Sequence, residues 1–351
     1  MSNKMLAGVL YGPSDVRLEE RLVPEPGPGD VLVRIGAATT CGTDAKVYQR
    51  GGHPRMIKPP DVFGHEFAGV VHKVGPKVKD FAPGMRVVAA NSAPCNQCFQ
   101  CKDGRQSLCE DLLFINGAYA QFVLIPERIV RQNLHPIPDH LPYAHAALVE
   151  PLACAVHGIA ESNIRLGDTV AVNGAGPIGL FFVQLAKLRG ARVIASDLSA
   201  ERLQVARRLG ADETINASDV PDQVEAVRSL TEQHRGVDIA IEAVGSPQVW
   251  DKTIQMARKG GTVNLFGGCK PGSTITVSTD IIHYHEVTLK GVFHHTPRYV
   301  KLALDLLSRG HITAEAFITA TRPLEKLAEA LEMIVQHKGI KTAVIPPDAP
   351  K

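Results

Sequence analysis

Two hydrophobic patterns divide the chain. Over residues 5 to about 130, short apolar runs follow turn-forming clusters, as where Val31-Leu32-Val33-Arg34-Ile35 succeeds Glu25-Pro26-Gly27-Pro28-Gly29-Asp30. That texture predicts a β-rich domain with tight turns. From Asp168 the pattern becomes apolar strand, glycine turn, apolar helix and strand again, with strands expected at 170–173, 193–196, 237–241 and 262–266 and a helix at 180–188. Strands alternating with helices predict a parallel, doubly wound sheet. Beyond about Phe293, residues 299–308 and 324–336 have the spacing of amphipathic helices, and 342–345 reads as a last strand. There is no internal repeat and no low-complexity tract.

Length fits this division, because 351 residues exceed one ordinary core and suggest two domains of roughly 150–200 residues. With 44% hydrophobic residues, 21% charged residues and a net charge of +2, the chain reads as an ordinary globular protein. Nothing calls for nucleic acid or an acidic membrane surface as partner. Residues 1–10 contain Lys4 but no apolar run of signal-peptide length, and no stretch reaches the roughly 18 apolar residues of a membrane span. The expectation is a cytoplasmic protein. Seven cysteines, an odd number, argue against a disulfide framework and for metal-binding or catalytic thiols.

Asn173-Gly174-Ala175-Gly176-Pro177-Ile178-Gly179 fits G-x-G-x-x-G, directly after a predicted strand and before a predicted helix. In that setting Gly174 permits the tight turn, Gly176 lets a pyrophosphate approach the backbone, and Gly179 lets helix pack on strand. Asp197 ends the next strand at about the 20-residue spacing expected of a ribose-binding acid. Its carboxylate accepts from both ribose hydroxyls and repels a 2′-phosphate, which favours NAD. Arg202 is within reach of a cofactor phosphate, although Glu201 beside it favours a solvated helix arginine.

Cys95, Cys98, Cys101 and Cys109 put four thiols on one short polar loop, close enough to complete a tetrahedron at about 2.3 Å per Zn–S bond. Four protein ligands close such a site, so it is expected to be structural. Cys154 and Cys269 read as ordinary buried thiols.

A second constellation is dispersed: Cys41-Gly42-Thr43-Asp44, Gly64-His65-Glu66 and Val149-Glu150-Pro151. With the four-cysteine loop and the glycine turn, these motifs in this order resemble the medium-chain zinc alcohol dehydrogenases over nearly the whole chain. The resemblance implies a GroES-like catalytic domain over residues 1–155 and 294–351, a Rossmann domain over 156–293, and two zinc ions, the catalytic one in a cleft. Glu150 stands where a second cysteine would complete a Cys2His set, as in the sorbitol and threonine dehydrogenase branch. Cys41 thiolate, neutral His65 and one glutamate balance a divalent ion. With both Glu66 and Glu150 bound and ionised the site would be negative, so one is expected at the metal and the other close by; which is which stays open.

Zinc acting as a Lewis acid lowers the pKa of a bound hydroxyl, so that an alkoxide can form near neutral pH and its carbon can pass hydride to the nicotinamide. Thr43 is placed to hydrogen-bond the substrate hydroxyl and pass its proton towards the ribose and solvent, the alternative being a turn threonine capping the next helix. After Gly291-Val292-Phe293, His294 and His295 fall where sorbitol dehydrogenase is similar and carries substrate-facing side chains; a subunit contact is the alternative. His283 and His285 have no assigned role. The basic run Lys46, Arg50, His53, Arg55 and Lys58 reads as a solvated loop that leaves room for a charged substrate. The resemblance thus implies NAD-linked oxidation of a secondary alcohol (a polyol, sugar alcohol or cyclitol) by a homo-oligomer, tetramer or dimer. The rivals are a threonine-type β-hydroxy amino acid dehydrogenase and a non-catalytic protein on the same fold, and the latter should lack one of Cys41, His65, Glu66 and Glu150.

Overall fold

The computed structural model describes residues 4–53 and 57–350; Arg55 and the first three residues of the N-terminal stretch lie outside the described residues. The chain forms two compact units, Met1–Ala153 with His295–Lys351, and Cys154–His294.

In the first unit the short apolar runs between turn-forming clusters build a seven-stranded sheet. Its order is Leu134–Pro136, Arg86–Ala89, Glu66–Val74, Val31–Thr39, Lys341–Ile345 and Ile318–Pro323, with Phe122–Ile125 also paired to Val31–Thr39. A smaller sheet joins Asp15–Leu22, Lys4–Gly12 and Asp61–Val62. Phe63, Phe67, Ile35, Val87 and Tyr119 fill the core. Register decides which residues meet at the edge of the larger sheet. Thr39 pairs with Glu66 on one side and Ala343 on the other, so the ends of three adjacent strands carry Cys41, Glu66 and Lys341 to one edge. The predicted helix over 324–336 is a 3-10 turn, Leu324–Lys326, followed by the α-helix Leu327–Val335. The junction is Lys326, whose φ −105° and ψ 26° are not α-helical. The helices Gly42–Arg50, Phe99–Lys102 and Glu127–Asn133 interrupt the β-rich stretch.

The second unit is the parallel sheet the alternation predicts. Its order is Glu213–Asn216, Arg192–Asp197, Thr169–Asn173, Val237–Glu242, Ala257–Leu265 and Thr288–Gly291. Strand order reverses between Thr169–Asn173 and Val237–Glu242, and the crevice beyond the carboxyl ends at such a switch point is where dinucleotides bind. Among the described residues no helix is long and apolar enough to cross a membrane. Cys154 and Cys269, expected as buried thiols, are only half-buried.

Candidate functional site

The glycine turn has the geometry its sequence demands. Gly174 takes φ +105°, and a Cβ there would stand 2.6 Å from Val244 Cγ2, so both conformation and crowding require glycine. A Cβ on Gly179 would collide with the carbonyl of Gly174, whereas one on Gly176 would meet only Arg202 Nη1, at 4.0 Å. The space over Gly176 is therefore open, at the N-terminus of the helix Pro177–Leu188, whose first position is a proline. Asp197 ends its strand and accepts from Ala175 N at 2.6 Å and Ser199 N at 2.8 Å. Its carboxylate is thus tied to the turn and retains lone pairs for a ligand hydroxyl. Arg202 is half-buried with its guanidinium toward the turn, which corrects the solvated reading. Beneath the turn, buried Glu242 accepts from Val244 N at 2.9 Å and Gly245 N at 2.8 Å; sequence reasoning had no signal for it.

The four cysteines come together, their sulfurs within 4.8 Å of one another. Cys95 and Cys101 sulfurs are 4.0 Å apart and those of Cys98 and Cys109 3.9 Å apart, near the roughly 3.8 Å edge of a Zn–S4 tetrahedron. The donor set fits zinc. Backbone N–H groups of Gln97 and Cys98 draw the Cys95 thiol down to about 6, whereas burial pushes Cys101 up to about 12. Without a cation, four thiolates would not coexist there.

The dispersed set assembles at the edge of the first sheet. Cys41 is the N-cap of Gly42–Arg50: its Sγ accepts from Thr43 N at 3.4 Å, and Asp44 Oδ2 accepts from Cys41 N at 3.0 Å. Cys41 and Asp44 therefore supply the cap that was the alternative role for Thr43, which is half-buried in the first turn. Cys41, His65 and Glu66 bring one ligand atom each within 4.8 Å. Buried His65 has Nδ1 3.1 Å from Asp44 Oδ1, leaving Nε2 for a metal, the usual carboxylate–histidine arrangement. Burial alone would lower the His65 pKa, but the charges of Asp44 and Cys41 outweigh it and hold it well above the ordinary value. Tyr119 Oη donates to Asp44 Oδ2 at 2.6 Å, and burial together with the Asp44 charge keeps that phenol protonated.

Neither glutamate is idle. Glu66, fully buried, accepts from the Thr39 hydroxyl and from Lys341 Nζ, which lies 2.8 Å from Oε1 and 2.7 Å from Oε2. Lys341 is itself buried and also donates to Thr40 O at 2.7 Å. Burial disfavours its charge, but Glu66 and Cys41 more than compensate and raise its pKa. This lysine, missed in the sequence, changes the charge count, because Cys41, Glu66 and Glu150 together with Lys341 and a divalent ion sum to neutrality. Glu150 sits in the first turn of Val149–Ser162, 5% exposed. Burial, reinforced by the charge of Glu66, pushes its carboxyl up to about 7 against the opposing pull of His65.

The adjacent histidines part company. His295 is 2% exposed, with Nε2 3.3 Å from Asn91 Oδ1 and 3.7 Å from Glu150 Oε1. His294 belongs to the other unit, is half-buried, takes φ +60°, and has its carbonyl 2.8 Å from His157 Nδ1. Lys46, Arg50 and Lys58 are exposed.

These features define a zinc-binding, nucleotide-linked dehydrogenase, and the chain belongs to that family: residues 27–139 match the alcohol dehydrogenase GroES-like domain and residues 177–309 the zinc-binding dehydrogenase domain. Within it the chain falls in the polyol dehydrogenase branch. It is 31% identical to sorbitol dehydrogenase of Bacillus subtilis, with 97% of each chain covered, and 34% identical to the human sorbitol dehydrogenase, with 96% of this chain and 94% of the relative covered. A zinc-binding dehydrogenase of Sinorhizobium meliloti 1021, solved bound to NADP, superposes with a TM-score of 0.89 at 34% identity, covering 98% of this chain and 99% of that one.

Proposed function

We propose that this enzyme oxidises a secondary alcohol of a polyol, sugar alcohol or cyclitol with NAD+, holding two zinc ions. The observation that carries the reading is the convergence of Cys41, His65 and Glu66 on one buried point, with Glu150 nearby and Lys341 balancing the second carboxylate. When bound there, zinc would supply Lewis-acid polarisation of the substrate hydroxyl, a role that three protein ligands leave room for and four cysteines do not. Cys41, His65 and a glutamate would hold the ion, Asp44 fixes the imidazole, and Thr43, relieved of capping, hydrogen-bonds the substrate hydroxyl and passes its proton on towards the ribose and solvent. The turn Gly174, Gly176, Pro177, Ile178 and Gly179 takes the pyrophosphate with Arg202 beside it, while Asp197 takes the ribose. His294 contributes to reading the substrate, whereas His295, buried beside Glu150, acts on the reaction through that glutamate. The same reading makes the protein a cytoplasmic homo-oligomer.

The test is reduction of NAD+ and NADP+ by the purified enzyme over sugar alcohols, cyclitols, hydroxy acids and threonine. A polyol or cyclitol should be the best substrate. NAD+ should be favoured by about one to two orders of magnitude in kcat/KM, since a 2′-phosphate beside the Asp197 carboxylate costs on the order of 2 kcal/mol. Threonine as best substrate would overturn the substrate class; equal use of NADP+ would overturn the role of Asp197.

A further inference from the structure

We propose that Tyr119 is a positioning residue for the catalytic metal: through Asp44 it fixes the imidazole of His65 in the orientation that ligates. This rests on the reading of His65 as a zinc ligand.

The geometry forms a chain. Tyr119 Oη donates to Asp44 Oδ2, and Asp44 Oδ1 faces His65 Nδ1. Asp44 Oδ2 also accepts from Cys41 N, so one carboxylate links the backbone of one metal-binding residue to the side chain of another. Free rotation of that carboxylate would misdirect both. The tyrosine is its stop.

Tyr119 is itself held from three sides. Its N–H donates to Phe63 O at 3.0 Å, its carbonyl accepts from Gly8 N at 2.7 Å, and Gly117 N and Ala118 N both donate to Gly64 O, at 3.0 and 3.1 Å. Its ring meets that of Phe63 edge-on at 5.0 Å. The ring also lies so close over Gly64 that a Cβ there would be 2.7 Å from Tyr119 Cδ2, and Gly64 has φ +89°. The segment 63–65 that presents His65 and the segment 117–119 that presents the phenol are thus one clamped unit, and the hydroxyl is delivered to Asp44 with little freedom. A buried phenol needs some partner. Here the partner is the carboxylate that orients a metal-binding histidine, and outer-sphere groups of that kind are worth about ten- to a hundredfold in metal affinity or activity.

The experiment is Y119F, which keeps the ring over Gly64 and removes only the donor. Protein retaining zinc in its four-cysteine site but stripped of the catalytic ion is titrated with Co2+, following the d–d absorption, with thermal melting in parallel. Y119F should bind Co2+ about ten- to a hundredfold more weakly, with a changed spectrum, while the four-cysteine zinc stays. D44N and the double variant are compared alongside it, and if Y119F proves unstable D44N alone decides, because unchanged Co2+ affinity in D44N also overturns the proposal. Because Tyr119 acts through Asp44, the double variant should bind Co2+ no more weakly than D44N. Unchanged Co2+ affinity in Y119F, or additive losses in the double variant, overturns the proposal. H65A is the control: if it still takes up Co2+ at this site, the ligand assignment fails first, whereas loss in H65A with none in Y119F refutes Tyr119 alone.

Discussion

The two metal sites of the first unit differ in how the chain makes them. The four-cysteine site draws every ligand from one segment of fifteen residues, Cys95 to Cys109, and its sulfurs are half-buried except for Cys109. The other site gathers Cys41, His65, Glu66, Glu150 and Lys341 from strand ends and a helix start far apart in sequence, all but Cys41 buried. A local loop cannot fold around four thiols unless a cation holds them together, so there the metal contributes the fold. The dispersed residues Cys41, Glu66 and Lys341 stand at the ends of paired strands, so the hydrogen bonds of the sheet set their positions. On the proposed reading, the difference assigns one ion to stability and the other to chemistry.

Removing a ligand from each site is the sharpest way to break that comparison. His65→Ala should leave one zinc per chain, an intact melting transition and almost no activity. Losing several kcal/mol of Lewis-acid stabilisation at about 1.36 kcal/mol per tenfold predicts a fall in kcat/KM of at least about a thousandfold. Cys98→Ser should do the reverse. Structural zinc binds with an apparent free energy on the order of 10 kcal/mol in small domains. Forfeiting about 3 kcal/mol of it would lower Tm by roughly 6–12 °C, at about 2–4 °C per kcal/mol for domains of this size. Elemental analysis returning one zinc in active, fully stable wild-type protein would refute both halves.

The same contrast explains what could be read from the sequence. The cysteine loop and the glycine turn are local, so spacing alone conveys their chemistry. Strand alternation and helical periodicity are local too, and the parallel sheet followed from them. Lys341 reaches Glu66 across 275 positions and Tyr119 reaches Asp44 across 75, and nothing near either residue announces its partner. A lone lysine ahead of an apolar strand, or a tyrosine inside a β-rich stretch, is ordinary until register sets it beside a charge. Balancing charge over Glu66 and Glu150 from the sequence was sound in form but lacked one cation, because only the pairing of Lys341–Ile345 with Val31–Thr39 brings it in.

A smaller effect should appear with pH in protein that has lost only the catalytic ion. Glu150 is pushed up to about 7 and His65 is held above its ordinary value, against unfolded values of about 4.3 and 6.5. The native protein then binds more protons than the unfolded chain, first through Glu150 and, above about pH 6.5, through His65 as well. Stability should therefore be greatest in mild acid and fall as pH rises through each native pKa. The four-cysteine loop keeps its zinc and does not titrate. Urea midpoints of the stripped protein should be lower at about pH 8 than at about pH 5, and zinc should restore most of the loss, since binding displaces both protons. A midpoint that rises with pH would mean that these groups are not buried together as described.

The smallest effect separates the neighbouring histidines, which the sequence treats alike. His294 holds φ +60°, a backbone conformation uncommon outside glycine, with its carbonyl on His157 Nδ1. A side chain kept in that conformation is a reasonable candidate for contacting a ligand. His295 is buried beside Asn91 and Glu150, so its influence should pass through the glutamate to every substrate alike. Replacing His294 by Ala should leave zinc content unchanged and lower kcat/KM for the best polyol about two- to tenfold, the worth of a lost hydrogen bond to a neutral hydroxyl at about 0.5–1.5 kcal/mol. A simple secondary alcohol, with no neighbouring hydroxyl to bind, should react almost as before. Replacing His295 should slow the polyol and the simple alcohol by the same factor. If His294→Ala also slows both equally, the substrate is read elsewhere, and the two histidines serve the metal environment or a subunit contact together.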